Sequence, residues 1–178
     1  MLIRDAHQDE LPEVGELRLA AYRTGGFLSP DSTYAPRLRE LGADGSGLVL
    51  VAVDGEAGRL LGTVMLQRWP NAGQVVAGPD EAEIRALAVW PAAQRGGVGR
   101  ALLAAVIDRA VREGVRHLVL MTQPDMKTAH RLYEEAGFIR LPDRDWSPEP
   151  GIMLLAYGKH LREGGAARVD RIQPSDSK

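Results

Sequence analysis

The chain's 178 residues and 19.3 kDa amount to about one domain, and 44% apolar against 26% charged residues supplies a sizeable core, which excludes disorder along its whole length. A formal charge of −2, from 22 Lys and Arg against 24 Asp and Glu, gives no bulk attraction to nucleic acid or to an anionic membrane. There is no cysteine, so disulfides, thiolate nucleophiles and thiolate metal sites are excluded, in keeping with a cytoplasmic protein.

In chain order, Leu2 to Arg4 reads as a short strand, and Leu11, Val14, Leu17, Leu19 and Ala21 then recur at helical spacing. No basic-then-apolar leader precedes them, and the aliphatic run Leu48 to Val53 is far short of the roughly 20 residues needed to span a bilayer, so neither export nor membrane insertion is expected. Arg23 to Ser32, rich in Gly, Ser and Pro, breaks the first helix, and a second short one is predicted over Tyr34 to Leu41. Gly47 to Val53 and Arg59 to Arg68 form a hairpin across Asp54 to Gly58. A strand follows over Glu83 to Trp90, ended by Pro91. From Val98 an apolar stripe through Leu102, Leu103, Val106, Ile107, Ala110 and Val111 predicts an amphipathic helix that stops at Gly114. His117 to Thr122 is a strand, Ala129 to Ala136 a helix ending at Gly137, and Gly151 to Tyr157 a last strand. The order is β-α-α-β-β-β-α-β-α-β-β, with residues 1 to 160 as one domain and a polar, fraying tail over 161 to 178.

The stretch from Glu83 to Leu103 runs strand, glycine-rich loop, helix, and that junction binds anions: glycine allows close backbone approach, and the first-turn N–H groups and the helix dipole face the negative group. Between Ala92 and Arg116, Arg95, Arg100, Arg109, Arg112 and Arg116 outweigh Asp108 and Glu113, so this window is basic in an acidic chain. A ligand carrying phosphate is expected. A nucleotide P-loop is excluded because Gly99 is followed by Arg100 and Ala101 instead of Lys and Ser or Thr. A dinucleotide fingerprint would need a small residue where Leu102 stands.

Gln94, Gly97 and Gly99, following Val89-Trp90-Pro91, and the later run Ala129-His130-Arg131-Leu132-Tyr133-Glu134-Glu135-Ala136-Gly137-Phe138 are two motifs whose order and spacing resemble the GCN5-related N-acetyltransferase (GNAT) family. The resemblance covers about residues 1 to 158. It implies an α/β (α+β) acyl-CoA N-acyltransferase fold with a mixed, mostly antiparallel sheet flanked by helices. It also implies transfer of an acetyl group from acetyl-CoA to a primary amine by direct attack, through a tetrahedral intermediate and without a metal. By the same resemblance Gln94, Arg95, Gly96, Gly97, Val98, Gly99 and Arg100 hold the coenzyme's pyrophosphate, and the backbone of Leu87, Ala88 and Val89 pairs with its pantetheine arm. Tyr133 matches the motif tyrosine that protonates the departing thiolate, although a tyrosine completing the Ala129, Leu132, Ala136 stripe would serve packing alone.

A nucleophilic amine must lose a proton, and Glu83 is the first choice of base: on an unbroken strand it shares a face with Arg85, Leu87 and Val89, a parity that a β-bulge would shift. A surface carboxylate paired with Arg85 is the alternative. The acceptor side falls to Tyr22 to Tyr34 and to Leu141 to Pro150, where Asp143, Asp145 and Glu149 can attract a cationic amine and Tyr34 and Trp146 can form its wall. Met121 and Met126 stand where the ribosomal-protein branch of the family carries a glutamate and an asparagine, which argues for a small-molecule acceptor over an N-terminal peptide. No histidine has metal-ligand spacing. A homodimer is the assembly that general frequency favours. Two other readings stay open, a non-catalytic acyl-CoA-binding sensor or interaction module and a protein or peptide N-acetyltransferase.

Overall fold

The computed structural model describes residues 1–55, 58–148 and 150–162. Glu149, assigned above to the acceptor side, lies outside the described residues, as do the tip of the hairpin turn and the tail from 163 onward.

Seven strands, β1 (Leu2–Asp5), β2 (Leu48–Val53), β3 (Leu60–Arg68), β4 (Glu81–Val89), β5 (His117–Thr122), β6 (Ile139–Arg140) and β7 (Leu155–His160), form one sheet in the order β1-β2-β3-β4-β5-β7-β6. All neighbours are antiparallel except β4 and β5, which run parallel. A parallel pair needs a crossover, and helix α3 (Val98–Arg112) provides it. Helices α1 (Leu11–Thr24) and α2 (Ala35–Glu40) belong to the other face, and α4 (Lys127–Glu135) lies between β5 and β6.

The helices cover both faces, which explains why β2 and β3 are aliphatic nearly throughout instead of alternating. On one face Leu50, Val64, Ala82 and Ile84 pack with Leu102, Leu103 and Val106 of α3 and with Tyr133 and Phe138. On the other, Val49, Val51 and Met65 pack with Val14 and Leu17 of α1, and Leu19 joins Leu28 and Leu38 beneath α2. A Cβ on Gly62 would stand 2.9 Å from the Ala88 carbonyl oxygen and 3.0 Å from Val98, so glycine is what lets α3 sit this close to β3.

Two sequence expectations change. The last strand begins at Leu155, since Gly151 takes φ +87, Ser147 Oγ donates to the Ile152 carbonyl, and among the described residues only the Trp146–Leu154 bridge precedes the strand. Leu161, placed in the fraying tail, is tied down: its N–H donates to the Arg116 carbonyl (2.8 Å) and its side chain packs on the α3-side core.

Candidate active site

β4 and β5 pair only over Glu81 to Ile84 against His117 to Leu120. Among the described residues, β4 continues beyond Ile84 to Val89 with no strand on its β5 side, while Met121 and Thr122 of β5 pair with β7 alone. The sheet therefore opens into a cleft with a free backbone edge along Leu87, Ala88 and Val89. A bulge re-aims that edge. Met65 faces Arg85 and Thr63 faces Ala88, so Ala86 and Leu87 together oppose Val64, and Ala86 takes φ 49. Before the bulge Ala82 and Ile84 face α3; after it Leu87 and Val89 do, and Ala88 turns to the α1 side. The single face shared by Glu83, Arg85, Leu87 and Val89 is thus corrected: Glu83 and Arg85 lie on the α1 side, and the bulge moves Leu87 and Val89 to the opposite one.

β4 leads into a short 3₁₀ turn at Pro91–Ala93, after which Arg95 (φ 66) and Gly97 (φ 77) adopt left-handed backbone and open α3. A non-glycine at positive φ is uncommon and strained, and it marks a sharp turn of the kind whose successive amides can line an anion site. Among the described residues no amide from Arg95 to Arg100 donates to a protein acceptor; the first intrahelical bond is Ala101 N–H to the Gly97 carbonyl (3.0 Å). This row of free donors at a helix N-terminus suits a pyrophosphate. Gly99 lies against Leu132 of α4 and Val89 of β4, 3.6 and 3.7 Å from where a Cβ would stand, so the loop closes the mouth of the cleft. Gln94 reaches back with its amide to the Val89 carbonyl (3.5 Å). A groove of about 320 Å³ continues between α3 and α4 past Arg100, Leu103, Ile107, Leu132 and Lys159.

Tyr133 of α4 is 7% exposed, with its ring centroid 6.0 Å from that of Phe138 and 6.3 Å from that of Tyr157. Its ring does fill the core stripe, yet its hydroxyl has no hydrogen-bond partner among the described residues. Burial pushes its pKa up to about 12, so it is a protonated donor at neutral pH. His130, one turn before Tyr133 in the second motif, is buried, with Nε2 3.0 Å from the Gln123 carbonyl oxygen.

Across the cleft, on the α1 side, Glu83 is 6% exposed. Its Oε2 accepts from Gly73 N–H (2.8 Å) in the β3–β4 loop, and its Oε1 lies 3.7 Å from Arg85 Nε. Burial holds its carboxyl above the usual carboxylate range, with Arg85 and the Gly73 amide pulling the other way. Arg85 also donates to Gln67 Oε1 (3.0 Å), whose amide donates to Ser46 Oγ (3.0 Å). Beside them lies a residue that the sequence reading missed, Arg18 of α1, at 1% exposure. Its Nη1 donates to the Leu41 carbonyl (2.6 Å), while Nε and Nη2, both sealed from solvent, have no partner among the described residues. Arg18 lies within electrostatic reach of Tyr22, Tyr34 and Arg85, and Tyr22 in turn within reach of Tyr133. Tyr34 is exposed, at 38%. The signal for Arg18 was present in the sequence: it follows Leu11 and Val14 on the apolar stripe of α1, where a cation is out of place.

Other acceptor-side residues do not join this group. Asp145 is engaged in fixing its own loop, with Arg140 Nη1 and Nη2 donating to its two oxygens (2.8 and 2.7 Å) and Ala156 N–H donating to Oδ1 (2.8 Å). That clamp leaves it no free charge for a cationic amine. Trp146, 41% exposed, lines a depression of about 300 Å³ with Val75, Asp143 and Arg144, and Tyr34 is not among its walls. Among the described residues no cluster of His, Asp and Glu is placed to hold a metal ion, and no helix is long and apolar enough to cross a membrane.

Comparison with known proteins agrees with this geometry. Residues 11–138 match the acetyltransferase (GNAT) family. A mycothiol acetyltransferase from Kocuria rhizophila is 34% identical over 97 residues, 54% of this chain and 31% of its own length, so the chain spans about a third of that relative. An acetyltransferase of the GNAT family from Staphylococcus aureus superposes with a TM-score of 0.69 at 18% identity, over 90% of this chain and 99% of that one. YncA from Salmonella typhimurium, solved with its cofactor acetyl-CoA, superposes with a TM-score of 0.66 at 23% identity, over 95% and 98%.

Proposed function

The chain belongs to the acetyltransferase (GNAT) family, and from that membership we propose that it transfers the acetyl group of acetyl-CoA to the primary amine of a small molecule by direct attack, through a tetrahedral intermediate. The observation that carries this reading is the cleft: an unpaired β4 edge that runs straight into a row of free amides at the start of α3, with an unpartnered tyrosine hydroxyl at its side. In the proposal the amides of Arg95 to Arg100 hold the pyrophosphate. The Leu87 to Val89 edge takes the pantetheine arm as an added strand and turns a backbone N–H to the thioester oxygen. Tyr133 gives its proton to the departing thiolate, whose basicity is near that of a cysteine, about 8.5. Glu83, directly or through water, takes the proton that the attacking ammonium must shed; its raised pKa makes it the better base near neutrality.

The sensor alternative keeps the amide row and dispenses with Tyr133 and Glu83. Calorimetric titration with acetyl-CoA, with ATP and NAD as controls, followed by thiol-release assays on an amine panel, tests the proposal. Saturable binding of acetyl-CoA alone is expected. Replacing Tyr133 with Phe is expected to lower kcat by about 10²–10⁴-fold while coenzyme affinity stays within about 2-fold, because the ring is kept and only the proton is lost. An unchanged kcat in Tyr133→Phe removes it from the mechanism, and folded protein that ignores acetyl-CoA overturns the proposal.

A further inference from the structure

Glu83 stands at the inner end of a row of polar side chains that runs along the α1 side of the sheet to exposed Asp44. Gln67 of β3 lies directly opposite Glu83 across the strand pair, and Arg85 lies opposite Met65 on the same face. Gln67 is 4% exposed, so both ends of its amide need partners, and both have them. Its Oε1 accepts from Arg85 Nη1 (3.0 Å), and its Nε2 donates to Ser46 Oγ (3.0 Å). Ser46 is in turn held by the Asp44 carboxylate, through its hydroxyl and through its N–H (2.9 Å). The turn that carries these two residues is pressed against β3: a Cβ on Gly47 would stand 2.9 Å from the Leu66 carbonyl oxygen.

Each bond in this row fixes the direction of the next. A carboxylate only accepts, so Asp44 takes the Ser46 hydroxyl proton and leaves Oγ to act as an acceptor. Ser46 Oγ therefore draws the NH2 end of Gln67, which turns the carbonyl end toward Arg85. Glu83 is denied two donors by this arrangement: the Gln67 NH2 points away to Ser46, and Arg85 Nη1 is taken by Gln67. Among the described residues it keeps the Gly73 amide at 2.8 Å and Arg85 Nε at 3.7 Å, the latter too far for a hydrogen bond. Arg85 is the cation that acts on Glu83 directly; Arg18 and Tyr22 of α1 lie within electrostatic reach of Arg85, and β5 places Val119 opposite Glu83. A guanidinium closed on this carboxylate through two nitrogens would hold it ionised and weaken it as a base.

We propose that Gln67 is a positioning residue for proton removal: by holding Arg85 Nη1 and turning its own NH2 to Ser46, it keeps both donors off Glu83 and preserves that carboxylate as a base. This rests on the reading of Glu83 as the base for its consequence in catalysis, though not for the hold on Arg85 itself. Gln67 touches no reacting atom and acts through Arg85. The role also gives a reason for a buried amide on β3, where Met65 and Leu66 before it are apolar and fully enclosed.

The test follows the Glu83 carboxyl itself. In the full chain, isotope-labelled for NMR at the glutamate side-chain carboxyl carbons, the Glu83 signal is the one missing from Glu83→Gln, and its titration midpoint is read without turnover. Gln67→Leu frees Arg85, and Ser46→Ala, a change in the half-buried turn, frees the Gln67 NH2 to face Glu83; each should lower the midpoint by about one pH unit or more. Gln67→Glu tightens the hold on Arg85 and sets a second carboxylate beside Glu83, so it should raise the midpoint. The acid limb of the kcat/KM profile, measured by thiol release with an amine that wild type accepts, should move with the midpoint in all three, whereas lost packing alone would lower the rate and leave the limb in place. A wild-type midpoint in both Gln67→Leu and Ser46→Ala overturns the proposal. A midpoint that moves while the acid limb stays, or while wild type turns over no amine, keeps the hold of Gln67 on Arg85 and overturns Glu83 as the base.

Discussion

Glu83 shows how one buried side chain couples activity to stability with opposite signs. Its carboxyl is held above the ordinary value of 4.5 by burial, so the folded protein binds that proton more tightly than the unfolded chain does. The stability contributed by the protonated form is fully present below the unfolded pKa and is lost as pH rises through the higher folded value. The proposed reaction needs the ionised form, so kcat/KM should fall as pH drops through the same value. Glu83→Gln keeps the acceptor for Gly73 N–H and removes the charge. It should abolish the acid limb of the pH–rate profile, lower kcat by about 10²-fold, and leave the protein at least as stable as wild type at pH 7 in urea unfolding. An unaltered acid limb in Glu83→Gln would assign that limb to another group. Tyr133 combines roles differently, since its ring packs on Phe138 while its hydroxyl is left unpartnered.

The element that makes the site is the bulge in β4. Ala86 has φ 49 in mid-strand, so the strand re-aims its side chains there and the α1 and α3 faces exchange parity. A β-branched side chain is ill suited to that backbone. Ala86→Val should cost about 1–3 kcal/mol in denaturant unfolding and weaken acetyl-CoA binding, because relaxation of the strain would shift Leu87 to Val89. Ala86→Gly should cost little, and a valine variant of wild-type stability and affinity would show that the bulge is not held by its backbone. Most elements were legible in the sequence because their signals are local: the α3 stripe from Val98 to Arg112, the paired β2 and β3 runs, the glycines that open and close helices. The bulge was not, since Ala86 is an ordinary strand residue and its φ is set by pairing with β3. Nor was the late start of β7, which depends on Ser147 and Gly151 closing a turn ahead of it. Within the site, the amide row was readable from its glycines, whereas the engagement of Asp145 depends on Arg140 and Ala156 arriving from neighbouring strands.

At the scale of the molecule, a sheet that splays open between β4 and β5 needs to be held firmly at its closed end. Glu81 does this at the first parallel pair. It accepts from Ala77 N–H (2.7 Å) in the β3–β4 loop, lies 2.8 Å from His117 Nδ1 at the start of β5, and accepts from Arg144 Nη1 (2.9 Å) in the β6–β7 connection. His117 stacks on His160 of β7 with centroids 4.1 Å apart, so one carboxylate gathers the ends of strands on both sides of the opening. Burial alone would raise the Glu81 pKa, but the hydrogen bonds from Ala77, His117 and Arg144 and the charge of Arg144 together hold it below its ordinary 4.5. A depressed carboxyl contributes stability that is present above the unfolded pKa and lost as pH falls through the folded one. Wild type should therefore lose urea resistance as the medium is acidified below pH 4.5 by more than a Glu81→Gln variant does. At pH 7 the variant should be about 1–2 kcal/mol less stable, since Arg144 and His117 lose a charged acceptor and keep a neutral one. Equal acid sensitivity in the two proteins would place the acid-labile contact elsewhere. A variant that unfolds alike but binds acetyl-CoA less tightly would show that the clamp sets the width of the cleft more than the stability of the sheet.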